Sequence, residues 1–219
     1  MGQGAPVQFD RTKFRETVLF ICTVCDPARL GAVKLHKILY FSDMLRYAFE
    51  GHPLTGSTYR KRAHGPTSDH LLGMLRQLER EGAIRVRDAD YFGFRKKEYI
   101  PSTSPNLTLF SPDEIALIRD VSDFVANDNT AKTISDLSHN QAWELAEFGE
   151  GLPYYTAFAL FPVEPSEEAI EWAASSVGEI EAERSKRPEV AHKVFADLRS
   201  RVLAASGDDA PDMGSPRLD

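Results

Sequence analysis

The pattern of apolar and polar residues predicts that the chain is organised around one buried helix. In Lys34 to Phe49, aliphatic residues recur on one side at helical spacing, and aromatic residues and methionine cover much of the rest. The few polar residues left over, among them Asp43, Arg46 and Glu50, are expected to form a narrow strip facing solvent. A helix that is apolar over so much of its circumference belongs at the centre of a domain, since a surface helix has a wider polar face.

Helical spacing predicts further helices on both sides of this segment, and capping residues mark their ends. Asp10 and Ser111 are suitable N-caps, and Pro112 stands at the first helical position after Ser111. Gly51 and Pro53 are expected to end the central helix. The other predicted helices cover about residues 11–24, 68–81, 112–126 and 130–137.

Two β elements are predicted beside the third helix. A short strand is expected at residues 58–63, followed by a turn at His64-Gly65-Pro66 that opens the helix. After the helix, Ala83 to Arg87 alternates apolar and basic residues, residues 88–93 form a turn, and Phe94 to Ile100 returns. Helix, glycine, strand, turn and strand in this order are typical of a winged helix. The predicted fold is mainly α with a small β-hairpin (α+β), compact around the central helix, with a winged-helix-like hairpin and a C-terminal helical extension.

Composition indicates a soluble protein with one substantial core, because the 219 residues carry a net charge of −7 and are 42% hydrophobic. The charge is unevenly distributed. From Thr58 to Ile100 there are ten Lys or Arg against six Asp or Glu, whereas residues 164–219 hold 13 acidic and seven basic residues. Neither a membrane-spanning run of about 20 apolar residues nor a signal peptide is visible, so a cytoplasmic protein without membrane contact is expected.

Known catalytic motifs are missing from the sequence. Cys22 and Cys25 form a C-x-x-C pair late in the first predicted helix, but no second ligand pair accompanies them. Buried thiols are therefore favoured, and a metal or redox role is the alternative. There is no nucleophile elbow, phosphate-binding glycine loop or H-E-x-x-H motif, and the six histidines are scattered. The chain is expected to be no enzyme and to need no cofactor or metal.

Three motifs follow one another in an order that is specific for one family. The first is a Lys-Leu-x-Lys-Leu-Leu-Tyr-Phe type of helix, matched here at Lys34, Leu35, Lys37, Leu39, Tyr40 and Phe41. The second is a Gly-x-Pro stretch, matched at Gly51 and Pro53. The third is a Tyr-Gly-Pro turn, matched at Gly65 and Pro66 with His64 in place of tyrosine. With a Ser-His pair and a Trp region near residues 138–143, the chain resembles the Panacea domain, which is also called SocA-like.

This resemblance covers about Phe14 to Phe158. It implies a Panacea domain at residues 9–162. The residues beyond it are outside the resemblance: charged amphipathic patterns predict a C-terminal helical extension at 163–205, and the lack of apolar residues predicts a disordered tail at 206–219. The motif residues from Lys34 to Phe41, together with Gly65 and Pro66, are expected to build the scaffold.

The resemblance implies an antitoxin of a bacterial toxin-antitoxin system, which binds and neutralises a cognate toxin protein. One family member instead acts as a proteolytic adaptor that delivers its toxin to the ClpXP protease. Protein binding of this kind depends on a few aromatic or arginine anchors at the surface. The candidate toxin-binding residues are Tyr59, Arg60, Arg62, His64, Tyr91, Phe92 and Phe94.

The alternative is a winged-helix transcription regulator. The basic surplus between Thr58 and Ile100 would suit DNA, and it would equally suit an acidic protein. Side chains on the outer face of the third helix and on the following strand have the chemistry to meet phosphates and base edges. These DNA-binding candidates are Arg76, Gln77, Arg80, Arg85 and Arg87. Nucleic acid is the less favoured partner.

Overall fold

The computed structural model of the chain describes residues 7–91 and 94–160. The helices are α1 (Arg11–Val24), α2 (Ala32–Glu50), α3 (Leu71–Arg80), α4 (Pro112–Ser122), α5 (Ala131–Ser138) and α6 (Gln141–Leu145). The strands are β1 (Tyr59–Arg62), β2 (Gly65–Ser68), β3 (Ile84–Tyr91), β4 (Phe94–Pro101) and β5 (Gly151–Leu152). Two 3₁₀ segments, Leu107–Leu109 and Tyr154–Leu160, and a π-helical turn, Asp123–Asn127, complete it. The helical extension predicted at 163–205 and the tail at 206–219 lie outside the described residues.

The central helix is α2, as the apolar pattern predicts. Its side chains from Leu35 to Leu45 are all buried. α1, α4, α5, β2 and the 3₁₀ segment Tyr154–Leu160 all pack against it. The helix ends at Gly51, which adopts the left-handed conformation (φ 78°) and donates its amide to the Tyr47 carbonyl. The mainly α architecture with small β elements is confirmed.

The helix starts follow the capping chemistry read from the sequence. The Asp10 carboxylate accepts the amide of Lys13 at 2.9 Å. Ser111 and Glu114 form a reciprocal capping box at the start of α4. The Glu114 carboxylate also receives ion pairs from Lys13 at 2.5 Å and from Arg46 at 2.8 Å. One side chain therefore caps α4 and ties it to α1 and α2, which draws Arg46 into the protein and away from the solvent strip expected for it.

The strands form two small antiparallel sheets. One has the order β2-β1-β5, with Tyr59 opposite Ser68 and Leu152 on its two sides. The other is the hairpin of β3 and β4, with Ile84 opposite Pro101 at its base. This hairpin follows α3 directly, in the winged-helix-like order predicted.

Residues 64–68 differ from the prediction, because Gly65–Ser68 forms a strand where a turn and a helix start were expected. α3 begins only at Leu71. Proline is tolerated in β2 because this is an edge strand, in which Pro66 turns its nitrogen and carbonyl away from β1.

Two details around α3 also differ from the prediction. The strand β3 continues through residues 88–91, where a turn was expected, because Asp88 and Asp90 stand opposite Lys97 and Arg95 and opposite charges favour such pairs. The helical spacing of α3 places Leu72 inward with its leucine neighbours, yet Leu72 is 53% exposed, and Met74 takes the buried position.

Asp43 was expected to face solvent in a polar strip, and this prediction is wrong, because its carboxylate is fully buried. Thr55 donates to it from its amide and from its hydroxyl, both at 2.6 Å. The hydroxyls of Tyr59 and Tyr154 donate at 2.7 and 3.2 Å. Burial raises the pKa of Asp43, and the hydrogen bonds from Thr55, Tyr59 and Tyr154 oppose that rise. The carboxylate thus joins α2 to the loop before β1, to β1 and to the last described segment.

Replacing Asp43 by Asn tests this junction. The amide keeps the size but turns a donor toward groups that are themselves donors, so we expect the free energy of unfolding to fall by about 3 kcal/mol or more. Asp88→Asn, on an exposed position of β3, is the matched control and should change stability by no more than about 0.5 kcal/mol. Urea unfolding at pH 7 measures both, and equal stabilities would show that the junction is dispensable.

Candidate partner-binding surface

Strand β1 divides its side chains between the core and the surface. The Tyr59 ring is buried and meets the Tyr40 ring edge to face at 5.4 Å between centroids. The expectation that Tyr59 contacts a partner is therefore wrong, because alternation along the strand turns it inward. Its neighbour Arg60 donates from Nε to Asp69 at 2.6 Å and from a terminal nitrogen to the Gly149 carbonyl at 3.2 Å.

Arg62 and His64, at the end of β1 and the turn after it, are exposed as a contact role requires. The Arg62 guanidinium lies 5.6 Å from the centroid of the Phe148 ring. The backbone carbonyl of His64 accepts a hydrogen bond from the Ser135 hydroxyl at 3.0 Å, which fixes the turn against α5. Both side chains thus stand on a backbone that the rest of the protein holds in place.

Two large apolar side chains lie beside this strand, one at the last residue of α6 and one on the segment that follows it. Leu145 is 80% exposed and Phe148 is 70% exposed. Their backbone is held firmly, since Lys61 donates its amide to Glu150 at 2.9 Å and accepts the amide of Gly149 at 3.0 Å. Large apolar groups exposed on a fixed backbone are typical of a contact surface. We call Arg60, Arg62, His64, Leu145 and Phe148 the hairpin surface.

The side chain of Lys61 reinforces the same attachment. Its ammonium donates to the carbonyls of Glu144 at 3.2 Å and Ala146 at 2.9 Å, on either side of Leu145. It also lies 4.2 Å from the centroid of the Trp143 ring. Leu145 and Phe148 are not among the contact residues predicted from the sequence, because they fall in a Glu- and Gly-rich stretch at the end of the short helix α6. One feature of the sequence could have indicated them: two large apolar residues stand in a segment whose spacing has neither the helical nor the strand period that would place them in the core.

The family-motif residues lie behind this surface, in the scaffold. Leu35, Lys37, Leu39, Tyr40 and Phe41 are all buried, Lys34 is half-buried, and Gly65 and Pro66 are buried in β2.

Burial sets the ionisation of two polar residues of α2. It lowers the pKa of Lys37 to about 7. Burial, with a smaller effect of the Lys37 charge, lowers the pKa of His36 to about 4. The Lys37 amine donates to the Pro66 carbonyl at 3.1 Å, and the Ser68 amide donates to Nδ1 of His36 at 3.2 Å. Through these hydrogen bonds the two side chains attach β2 to α2.

The tip of the second hairpin carries the other predicted contacts. Phe92 and the side chains of Tyr91 and Phe94 lie outside the described residues, so their contact role stays a prediction. The backbone of the hairpin is described up to the pair Tyr91 and Phe94.

The DNA-binding candidates lie on α3 and β3, which pack against each other. Two of them are engaged within the protein. Gln77 donates to Glu81 at 2.7 Å, and Arg87 pairs with Glu98 at 2.6 Å. Arg76, Arg80 and Arg85 are exposed. The DNA-binding alternative stays a prediction.

The thiols of Cys22 and Cys25 are free and buried, as favoured from the sequence. Burial raises the pKa of Cys22 to about 12 and that of Cys25 to about 11. Both are therefore thiols at neutral pH and weak nucleophiles. Among the described residues, no group of three or more His, Cys, Asp or Glu side chains is arranged to hold a metal ion.

Comparison with known proteins identifies one family. The sequence model described as "Antitoxin SocA-like, Panacea domain" matches residues 35–144, which run from the first turn of α2 to the next-to-last residue of α6. No curated protein and no solved structure matches the chain. Of the helices in the described ranges, none combines the length and apolar character needed to cross a membrane.

The close packing behind β2 gives a direct test at Gly65. Its φ is +87°, and a Cβ there would overlap the Lys37 amine and the Ser138 hydroxyl. Gly65→Ala should therefore lower the free energy of unfolding by about 2 kcal/mol or more, through backbone strain and overpacking. Gly73→Ala is the control, because nothing lies within 4 Å of its added Cβ. That variant should gain about 0.5–1 kcal/mol of helix stability in the same urea titration. A tolerated Gly65→Ala would contradict the packing described.

Proposed function

The chain belongs to the family of SocA-like antitoxins with a Panacea domain, and on this basis we propose that it neutralises a cognate toxin protein by binding it. The proposed complex is stoichiometric and cytoplasmic, and the proposed role involves no catalysis and no cofactor. The observation that supports it most directly is the exposed pair Leu145 and Phe148, fixed beside basic residues of β1.

Energetics favours this surface as the centre of the contact. Burying a leucine or phenylalanine side chain fully contributes roughly 1.5–3 kcal/mol. Arg62 lies near the Phe148 ring, and such a cation–π contact strengthens when a partner removes water from it. Because backbone hydrogen bonds already hold the segment, little conformational entropy is lost when the partner binds.

The residues of the surface differ in what they offer. Arg60 is already engaged by Asp69 and Gly149, so it supports the surface more than it reaches outward. Within the described ranges, no hydrogen bond or ion pair holds the side chain of Arg62 or His64, so both can meet carboxylates or aromatic rings of the toxin. In our proposal the hairpin tip at Tyr91, Phe92 and Phe94 forms a second contact.

Neutralisation by blocking and neutralisation by degradation differ in their effect on the amount of toxin. Blocking, which we propose, leaves the amount of toxin unchanged while its activity is lost. Delivery to the ClpXP protease lowers the amount of toxin and depends on the protease. Following the toxin by immunoblot after synthesis is stopped, with and without ClpP, separates the two.

The toxin itself is sought next to the gene, since antitoxins of this family are usually encoded beside their toxins. We expect the neighbouring open reading frame to arrest growth when expressed alone and co-expression of this chain to restore growth. A harmless neighbour would remove the main support for toxin neutralisation.

Removing the apolar pair tests the surface. The double variant Leu145→Ser with Phe148→Ser should weaken toxin binding at least 100-fold, because it removes the two side chains expected to be buried in the complex. Its thermal unfolding should stay close to that of the wild type, since both side chains are exposed. Leu72→Ser, another exposed leucine on α3, is the matched control and should bind normally. Calorimetry with the purified toxin gives the affinities, and unchanged binding by the double variant would place the contact elsewhere.

A further inference from the structure

The outer edge of β2 is satisfied by side chains. On this edge the carbonyls of His64 and Pro66 and the amide of Ser68 point away from β1. They are bonded by Ser135 at 3.0 Å, by Lys37 at 3.1 Å and by His36 at 3.2 Å. An edge strand with unpaired backbone amides and carbonyls can pair with a strand of another molecule, and these three side chains prevent this by occupying those groups. Through these bonds they also fix the position of the β1–β2 hairpin relative to α2 and α5.

We propose that Lys37 is a positioning residue for the hairpin surface, and that it holds β2 firmly against α2 and α5 only while its amine is uncharged. We call β2 seated when it is held in this way and loosened when it is not. Protonation of this amine by solvent would loosen β2 and with it the end of β1, which carries Arg62, and the turn that carries His64. Binding of a protein partner would then weaken as the amine takes up a proton. The part that concerns the partner rests on the proposed function.

The surroundings of Lys37 suit a neutral amine. The side chain is 1% exposed, and its hydrogen bond goes to the Pro66 carbonyl. An ammonium carries three donors and would need further acceptors or a carboxylate. Within the described ranges, no ion pair includes Lys37. Space beside Gly65 is tight as well, because a Cβ added at this position would overlap both the Lys37 nitrogen and the Ser138 hydroxyl. A buried charge without compensation costs several kcal/mol, and the amine avoids this by releasing its proton.

The other titratable groups near Lys37 do not replace it as the switch. On α2 itself, His36 has its pKa lowered to about 4, so it stays neutral where Lys37 titrates. After α5, burial and then the Lys37 charge lower the pKa of His139, while Asp136 and Glu144 act in the opposite direction. The residues of β2 carry no titratable side chain. Near neutral pH, Lys37 is therefore the group expected to change charge behind the strand.

The direction of the effect follows from the two proton affinities. In the seated state the pKa of Lys37 is about 7, against an ordinary value of 10.5 when the amine is exposed. Between these values the loosened state binds the proton more tightly, so seating becomes more favourable as pH rises and weaker as pH falls. From pH 8 to pH 6 the population of the loosened state should rise about tenfold. Most of this fold-change falls above pH 7, because below that pH the amine of the seated state also binds a proton.

Hydrogen exchange on the full chain tests this without any partner. His64→Gln serves as the parent, because it removes the exposed imidazole next to β2 and leaves Lys37 in place. After correction for intrinsic rates, amides in residues 59–68 should open about tenfold more often at pH 6 than at pH 8. Adding Lys37→Met should remove this difference, whereas Lys37→Arg should open the strand at both pH values.

Two outcomes overturn the proposal. One is exchange in the parent that does not depend on pH, and the other is a pH dependence that survives Lys37→Met. If Lys37→Met does not fold, the chemical shift of the Lys37 side chain in the unaltered protein decides. A titration midpoint near 7 supports the proposal, and a midpoint above 9 overturns it.

The partner arm uses the toxin identified by growth arrest. Its affinity for the parent should fall as much as tenfold from pH 8 to pH 6 and should be flat for the Lys37→Met variant. If the exchange behaves as expected but the unaltered protein, with His64 in place, binds no toxin at either pH, the proposed function fails while the role of Lys37 in seating β2 stands. If the toxin binds with a pH dependence that Lys37→Met does not alter, the positioning role fails while the proposed function stands.

Discussion

Burial of α2 forces its polar side chains to find hydrogen-bond partners inside the protein, and the rest of the structure is arranged around that requirement. Asp43 takes four donors from three other segments. Lys37 and His36 bond the backbone of β2. An unsatisfied polar group in such a position costs about 1–3 kcal/mol, and a charged one more. The buried polar groups therefore specify where the loop before β1, the small sheet and the last described segment must lie.

This constraint links the scaffold to the surface. The same strand that supplies Tyr59 to the Asp43 junction presents Arg60 and Arg62 on its other face. Lys61 then fixes the segment that carries Leu145 and Phe148. A surface so closely backed by the core needs little ordering when a partner binds, which suits the proposed binding of a toxin. It also makes the surface sensitive to changes in the core, and the proposed role of Lys37 depends on that coupling.

Much of the architecture and of the family assignment could be predicted from local sequence. Caps at Asp10 and Ser111 mark helix starts, and Gly51 ends α2, because capping depends on residues a few positions apart. The motif in α2 was recognised, and the family match confirms it. The candidate surface was predicted only in part. Arg62 and His64 are exposed as expected, but Tyr59 is buried, and Leu145 and Phe148 were missed.

The sequence by itself determined the five longer helices, the apolar nature of α2 and the family, since these depend on periodicity, caps and motif order. The short helix α6 was not predicted. The tertiary structure decided which polar residues of α2 are buried, that residues 65–68 form a strand, and which side chains reach the surface. The physical reason is distance along the chain. Asp43 is bonded by residues 12, 16 and 111 positions away, and Lys37 by a carbonyl 29 positions away. A polar residue in a helical pattern is expected to face water until its partners are known, and only the fold brings those partners together.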